Sequence, residues 1–215
     1  QSARYVSTRF ARELGDAIRI NNRLIGRNLF FGGGEPLISV DKFVQVKEAI
    51  GELERTQLVV STNGYNLPLD QNEFNGMINA VGRPFVMLSC GAAHREQYAR
   101  LALSTGHELY VPQNVDPSEA LFEKARIIGG YCADLGVGFN VNVVERGDEV
   151  SGDLRRFILQ HASRDFEFFR TDVDPVKFPC KQGQELAIRA NGDVYTHCYD
   201  IFNGKNKLGV VGFLK

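Results

Sequence analysis

Three groups of residues in this chain are spaced so that they could do chemistry: a glycine run with a carboxylate, polar residues at the ends of apolar runs, and two late cysteines. The first group is Gly32-Gly33-Gly34-Glu35-Pro36, which follows the apolar residues Leu29 to Phe31. Glycines carry no Cβ, so backbone amides and carbonyls there can come against a ligand, with the Glu35 carboxylate at the strand mouth and Pro36 fixing the exit. No Gly-Lys-Ser/Thr follows, which excludes a Walker loop, and Leu37 stands where a dinucleotide fingerprint needs its third glycine. The competing explanation is a tight turn that needs positive φ.

The second group is Ser61-Thr62-Asn63-Gly64, Ser89 with Gly91, His94 and Arg100 after it, and Asn114. Taken singly, Asn63 and Asn114 suit ordinary turns, Arg100 a solvated helix face and His94 the surface. The third is Cys180 and Cys198, one at each outer end of an alternating segment that turns at Asn191-Gly192. A hairpin would bring the two thiols together as half a metal site, or leave them as reduced structural cysteines. Cys132 falls on a buried helical stripe, and Cys90 is also assigned to the core.

A βα rhythm must position these residues. Phe10, Leu14 and Ile18 mark an opening helix, and Leu29 to Phe31 a strand. Ser39 caps a helix with Phe43, Val46, Ile50 and Leu53 inward, and Leu58 to Thr62 is the next strand. Asp70 and Glu73 form a capping box before a helix with Phe74, Met77, Ile78 and Val81 on one face, followed by a strand from Phe85 to Ser89. A helix through Tyr98 and Leu101 leads to an expected strand from Glu108 to Val111. Asp116, Pro117 and Glu119 open a helix with the stripe Leu121, Ala125, Ile128, Cys132 and Leu135, stopped by Gly136. Phe139, Val141 and Val143 alternate as a strand, Leu154, Phe157 and Ile158 suggest a helix, and Phe166 to Phe169 is a last apolar run. One helix and five βα units predict a mostly parallel α/β sheet or partial barrel, with function at the carboxyl edge of the strands.

Gly33-Gly34-Glu35-Pro36 after a strand resembles the GGEP motif of radical S-adenosylmethionine enzymes. The resemblance implies that this backbone and the Glu35 carboxylate recognise the methionyl amino group of the cofactor. Ser61-Thr62-Asn63-Gly64 resembles the family's Thr-Asn-Gly strand end. Ser89, Gly91, His94 and Arg100 resemble its Ser-x-Asp-Gly segment with a downstream arginine, which implies contacts from Ser89 and Arg100 to the cofactor's ribose and carboxylate. Cys90 replaces the aspartate, and the spacing that follows differs. Asn114 falls where the family often has a polar residue, and Val143 and Val144 lie on the strand that commonly backs the adenine. The matches keep their order over residues 5–165.

The family's Cys-x3-Cys-x2-Cys loop, which holds a [4Fe-4S] cluster, is not among these 215 residues. The implied architecture is a partial (β/α)6 barrel over residues 1–170 that lacks its first strand, leaves an unpaired edge at the second and takes its main cluster ligands from outside the chain. Residues 171–215 resemble the start of a SPASM or twitch extension, a C-terminal β-hairpin in which Cys180 and Cys198 would help hold an auxiliary iron–sulfur cluster. The implied activity is reductive cleavage of S-adenosylmethionine to a 5′-deoxyadenosyl radical for hydrogen abstraction. Its partners would be a one-electron donor and, through the SPASM likeness, a peptide or protein substrate. No residue stands out as a catalytic acid or base. The alternatives are a cluster-less barrel that binds S-adenosylmethionine or a peptide as a non-catalytic partner and, more weakly, an α/β enzyme holding a phosphorylated ligand at the glycine run.

Composition narrows the classes further. With 25 Lys and Arg against 26 Asp and Glu, there is no basic excess to neutralise a nucleic-acid backbone. No apolar run approaches the roughly 20 residues that span a bilayer. Four cysteines are too few for a disulfide-built fold, and a cytoplasmic setting with reduced thiols is expected.

Overall fold

The computed structural model describes residues 6–20, 28–32, 34–53, 56–104, 109–143, 167–170, 187–188, 193–195 and 207–210. Contacts divide the chain into two compact units, one of residues 1–29, 41–57 and 174–215, the other of residues 30–40 and 58–173.

The second unit carries the parallel sheet. Strands β1 (Asn28–Phe31), β2 (Gln57–Thr62), β3 (Phe85–Ser89), β4 (Phe139–Val143) and β5 (Glu167–Arg170) follow one another in space as in sequence. β2 to β5 pair in parallel, with Val60 opposite Val86, Leu88 opposite Val141 and Asn142 opposite Phe169. Parallel neighbours need crossovers, and helix α3 (Gln71–Ala80) supplies the one from β2 to β3, α4 (Ala92–Leu103) and α5 (Ala120–Leu135) the one from β3 to β4. The protein is thus mixed α/β, as its sequence rhythm predicts.

Alternation along the strands gives the sheet two unlike faces. Val60, Thr62, Val86, Leu88 and Val141 share one face and are buried. Phe74 and Ile78 of α3, Val81 just after it, and Leu121, Ala125, Ile128 and Cys132 of α5 are buried as well, which is most of the stripe expected for each helix; Met77 and Leu135 are half-buried. Asp70 caps α3 by accepting from the Glu73 amide at 2.9 Å, and Gly136 ends α5 at φ 63°.

Three expectations change. No strand forms at 109–111: Leu109 and Tyr110 lie in a turn, and their carbonyls accept from the Leu69 amide and from Lys124 Nζ instead of a neighbouring strand. β3 therefore pairs directly with β4, and α4 and α5 both lie between them in sequence. Asp116 does not cap α5. Its carboxylate takes the amide and hydroxyl of Ser118, closing a turn ahead of a helix that begins at Ala120. Leu53 lies beyond the helix it was assigned to, because that helix ends at Ile50 and Gly51 turns away at φ 78°.

In the first unit, α1 (Thr8–Ile20) and α2 (Val40–Ile50) meet backbone to backbone: Gly15 of α1 has no room for a Cβ against the Ile50 carbonyl, which also accepts from Arg19 at 2.7 Å. Late in the chain, β6 (Ala187–Ile188), β7 (Asp193–Tyr195) and β8 (Lys207–Val210) form an antiparallel sheet, and the β6–β7 pair agrees with the expected hairpin. The expected helix at 154–158, the turn at 191–192, Val144, and both Cys180 and Cys198 lie outside the described residues. Among the described residues no helix is long and apolar enough to cross a membrane.

Candidate functional site

The carboxyl ends of β1 to β4 carry most of the polar residues singled out above. Glu35 leaves β1 in extended backbone and caps a 3₁₀ turn, Pro36–Ile38, with Pro36 at its start. Its carboxylate is well supplied with donors: Oε1 accepts from the Leu37 amide at 3.0 Å and the Thr62 hydroxyl at 2.8 Å, and Oε2 from the Asn63 amide at 2.7 Å. Charge-assisted bonds of this kind fix position strongly. Asn63 in turn accepts the Tyr65 amide on its side chain at 2.9 Å, which makes its side chain a turn former as well.

The glycines beside Glu35 are not explained by a strained turn. Positive φ occurs at Gly51, Gly64, Gly82 and Gly136, but not at Gly32 or Gly34. Both are exposed; a Cβ on Gly34 would meet nothing within 4 Å, and one on Gly32 only an ordinary contact with Ser61. Gly33 lies outside the described residues.

The second face of the sheet is polar toward this edge. Register aligns Ser61, Met87 and Asn140 in one row, with Glu167 next to Asn140, and Ser89 with Asn142 in the following row. Ser61, Ser89 and Asn142 are half-buried. Asn140 is fully buried, and neither its amide nitrogen nor its oxygen has a hydrogen-bond partner among the described residues. An orphaned buried polar group costs about 1–3 kcal/mol, so two on one side chain mark a place where a polar partner belongs. Asn140 and Asn142 were not singled out from the sequence. The signal was present: in Phe-Asn-Val-Asn-Val the asparagines take the alternate positions, so the strand that buries Phe139 and Val141 turns both amides to the other face.

The remaining residues are placed differently. His94, expected at the surface, is half-buried in the first turn of α4, its Nδ1 without a partner among the described residues; burial lowers its pKa and nearby Glu35 works against that shift. Arg100 is exposed in the last turn of α4, about 12 Å further along the helix axis than Ala92, and is not brought to the Glu35 corner by any described contact. Asn114 is exposed at φ 61° and, with no strand at 109–111, does not stand at a strand end. Val143 closes β4 in register with Arg170. Cys90 and Cys132 are separate buried thiols, both pushed upward by desolvation, Cys132 to about 12. Among the described residues no three His, Cys, Asp or Glu side chains converge as metal ligands.

Compared with models of known families and with curated proteins, the chain matches none.

Proposed function

We propose that this chain is the cofactor-binding part of a radical S-adenosylmethionine enzyme, its parallel sheet forming part of a (β/α) barrel whose polar inner face takes the cofactor. One observation carries the proposal: the buried Asn140 amide, without partners among the described residues, lies on the same sheet face as Ser61, Ser89 and Asn142, beside the strand end where Glu35 is locked. In open α/β sheets and barrels alike, ligands bind at the carboxyl edge of the strands.

S-adenosylmethionine fits such a face. Its ribose and carboxylate want hydroxyl and amide partners, which Ser61, Ser89 and the two asparagines offer. The exposed Gly34 backbone and unstrained Gly32 leave room for its amino group near Glu35. Glu35 would orient the glycine corner through its bonds to Thr62 and Asn63, acting as a positioning residue for the edge as a whole. An iron–sulfur cluster does not fit the described thiols, because Cys90 and Cys132 are buried apart in the core; the proposal for these residues is therefore cofactor binding. Radical cleavage of the cofactor, a one-electron donor and a peptide substrate are the parts of the proposal that rest on the motif resemblance alone.

Equilibrium dialysis with radiolabelled S-adenosylmethionine tests the binding step, with saturable uptake expected and uptake lowered at least tenfold by Asn140→Leu with Ser89→Ala. Anaerobic iron–sulfur reconstitution followed by assay for 5′-deoxyadenosine tests the reaction. Binding without that product from a loaded cluster favours the non-catalytic partner; no binding at all removes the proposal.

A further inference from the structure

A second feature shares no lining residue with the strand-end face. Tyr65 and Asn66 after β2, Gln97, Tyr98 and Leu101 of α4, and Tyr110 line a cavity of about 390 Å³. That volume is in the range of small-molecule sites. The Tyr65 and Tyr98 rings lie 4.8 Å apart and tilted by 43°, and no lining side chain carries a formal charge.

Behind this wall stands Lys124 of α5, fully buried. Its Nζ donates to the Tyr110 carbonyl at 2.6 Å and lies 5.6 Å and 5.8 Å from the ring centroids of Tyr98 and Tyr110. Among the described residues no carboxylate pairs with it. One carbonyl and two ring faces offset part of the desolvation of an ammonium group, but they do not neutralise it. Among the described residues the Tyr65 hydroxyl is likewise buried without a partner, and burial pushes its pKa up to about 12, so it stays protonated as a donor.

We propose that the cavity binds a small organic anion with a planar apolar body, its ring against Tyr65 and Tyr98, its charge answering Lys124 and accepting the Tyr65 hydroxyl. A cation would meet repulsion from Lys124, and a neutral ligand would leave that charge uncompensated. At separations of about 6–8 Å and an effective dielectric near 20, the charge alone favours an anion over its neutral isostere by on the order of tenfold or more.

Ligand-observed NMR with phenylacetate, phenylacetamide and benzylammonium, run on the full chain at pH 6, where Lys124 carries its proton and phenylacetate is ionised, tests this. Phenylacetate should bind at least tenfold tighter than the amide, with benzylammonium weakest, and Lys124→Met should bring the acid and the amide to parity. Should K124M lose its far-UV circular dichroism, Tyr65→Phe decides: it should weaken phenylacetate several-fold and leave benzylammonium, which cannot accept a hydrogen bond, unmoved. Equal affinities for the three probes, tightest binding of benzylammonium, no binding of phenylacetate, or phenylacetate binding unchanged in Y65F and in folded K124M overturns the assignment.

Discussion

The Glu35 carboxylate accepts the backbone amide of Asn63 at 2.7 Å, so the corner after β1 is tied to the end of β2 across 28 residues of sequence. The same carboxylate holds the Thr62 hydroxyl and caps Leu37. A residue that looks like a ligand group in the sequence is also a fastening of the edge on which a ligand would sit.

Glu35→Gln keeps the shape and one acceptor but loses the charge, and should cost about 1–2 kcal/mol, a fall of about 2–8 °C in Tm. Glu35→Ala leaves the Asn63 and Leu37 amides without their acceptor and should cost about 3 kcal/mol or more. Thermal and urea unfolding measure both. If Glu35→Ala unfolds like the parent chain, the fastening is not one.

Two glycines should respond oppositely to alanine. Gly64 follows Asn63 at φ 76°, and a Cβ there would overlap the Leu88 side chain. Left-handed backbone and overpacking together predict a loss of about 2–4 kcal/mol for Gly64→Ala. Gly76 sits inside α3 with nothing within 4 Å of its Cβ position, so Gly76→Ala should stabilise by about 0.5–1 kcal/mol. Urea midpoints of the two variants against the parent chain check the pair.

Lys124 should make stability depend on pH. Burial lowers its pKa from 10.5 to about 7, so between those values the unfolded chain binds more protons than the folded one and stability rises with pH. The rise should approach about 1.4 kcal/mol per pH unit just above pH 7 and be absent below it, where both states are protonated. From about pH 8.5 the buried Cys90 and Cys132 act with the opposite sign, because the unfolded thiols ionise first. Lys124→Met should flatten the slope between pH 7 and 8.5 while leaving the fall at higher pH. Urea unfolding across that range reads both.

Much of the sheet was legible because its signals are local. Alternation in Phe139, Val141 and Val143 and the stripe of Leu121, Ala125, Ile128 and Cys132 report burial directly, and the structure has a strand and a helix in those places. The segment ending in Val111 is an apolar run of strand length, yet Leu109 and Tyr110 lie in a turn, because their carbonyls are claimed by Leu69 and Lys124, partners that no local pattern announces. The same holds at the site. Glu35, Ser61 and Ser89 could be picked by type and position at strand ends. That Glu35 is bonded to Thr62 and Asn63, that His94 is half-buried near it and that Asn140 finds no partner among the described residues depend on which strands lie side by side.

Asn140 offers the sharpest separation of stability from function. Its side chain is fully buried with both polar atoms unpaired among the described residues, on a strand whose other face is Val141 and its buried neighbours. A core position chosen for stability alone would hold an apolar residue of the same size, since replacing an unpaired amide by leucine removes a desolvation cost without breaking any bond. Asn140→Leu should therefore raise stability or leave it within about 0.5 kcal/mol, whereas most core substitutions lower it. If the amide is kept for a ligand, the same variant should lose S-adenosylmethionine binding at least tenfold, a trade of activity for stability that strained or under-bonded sites show. Urea unfolding and equilibrium dialysis on one preparation give both numbers. A destabilised Asn140→Leu would mean that the amide has structural partners beyond the described residues. A stabilised variant with undiminished binding would detach Asn140 from the proposed site.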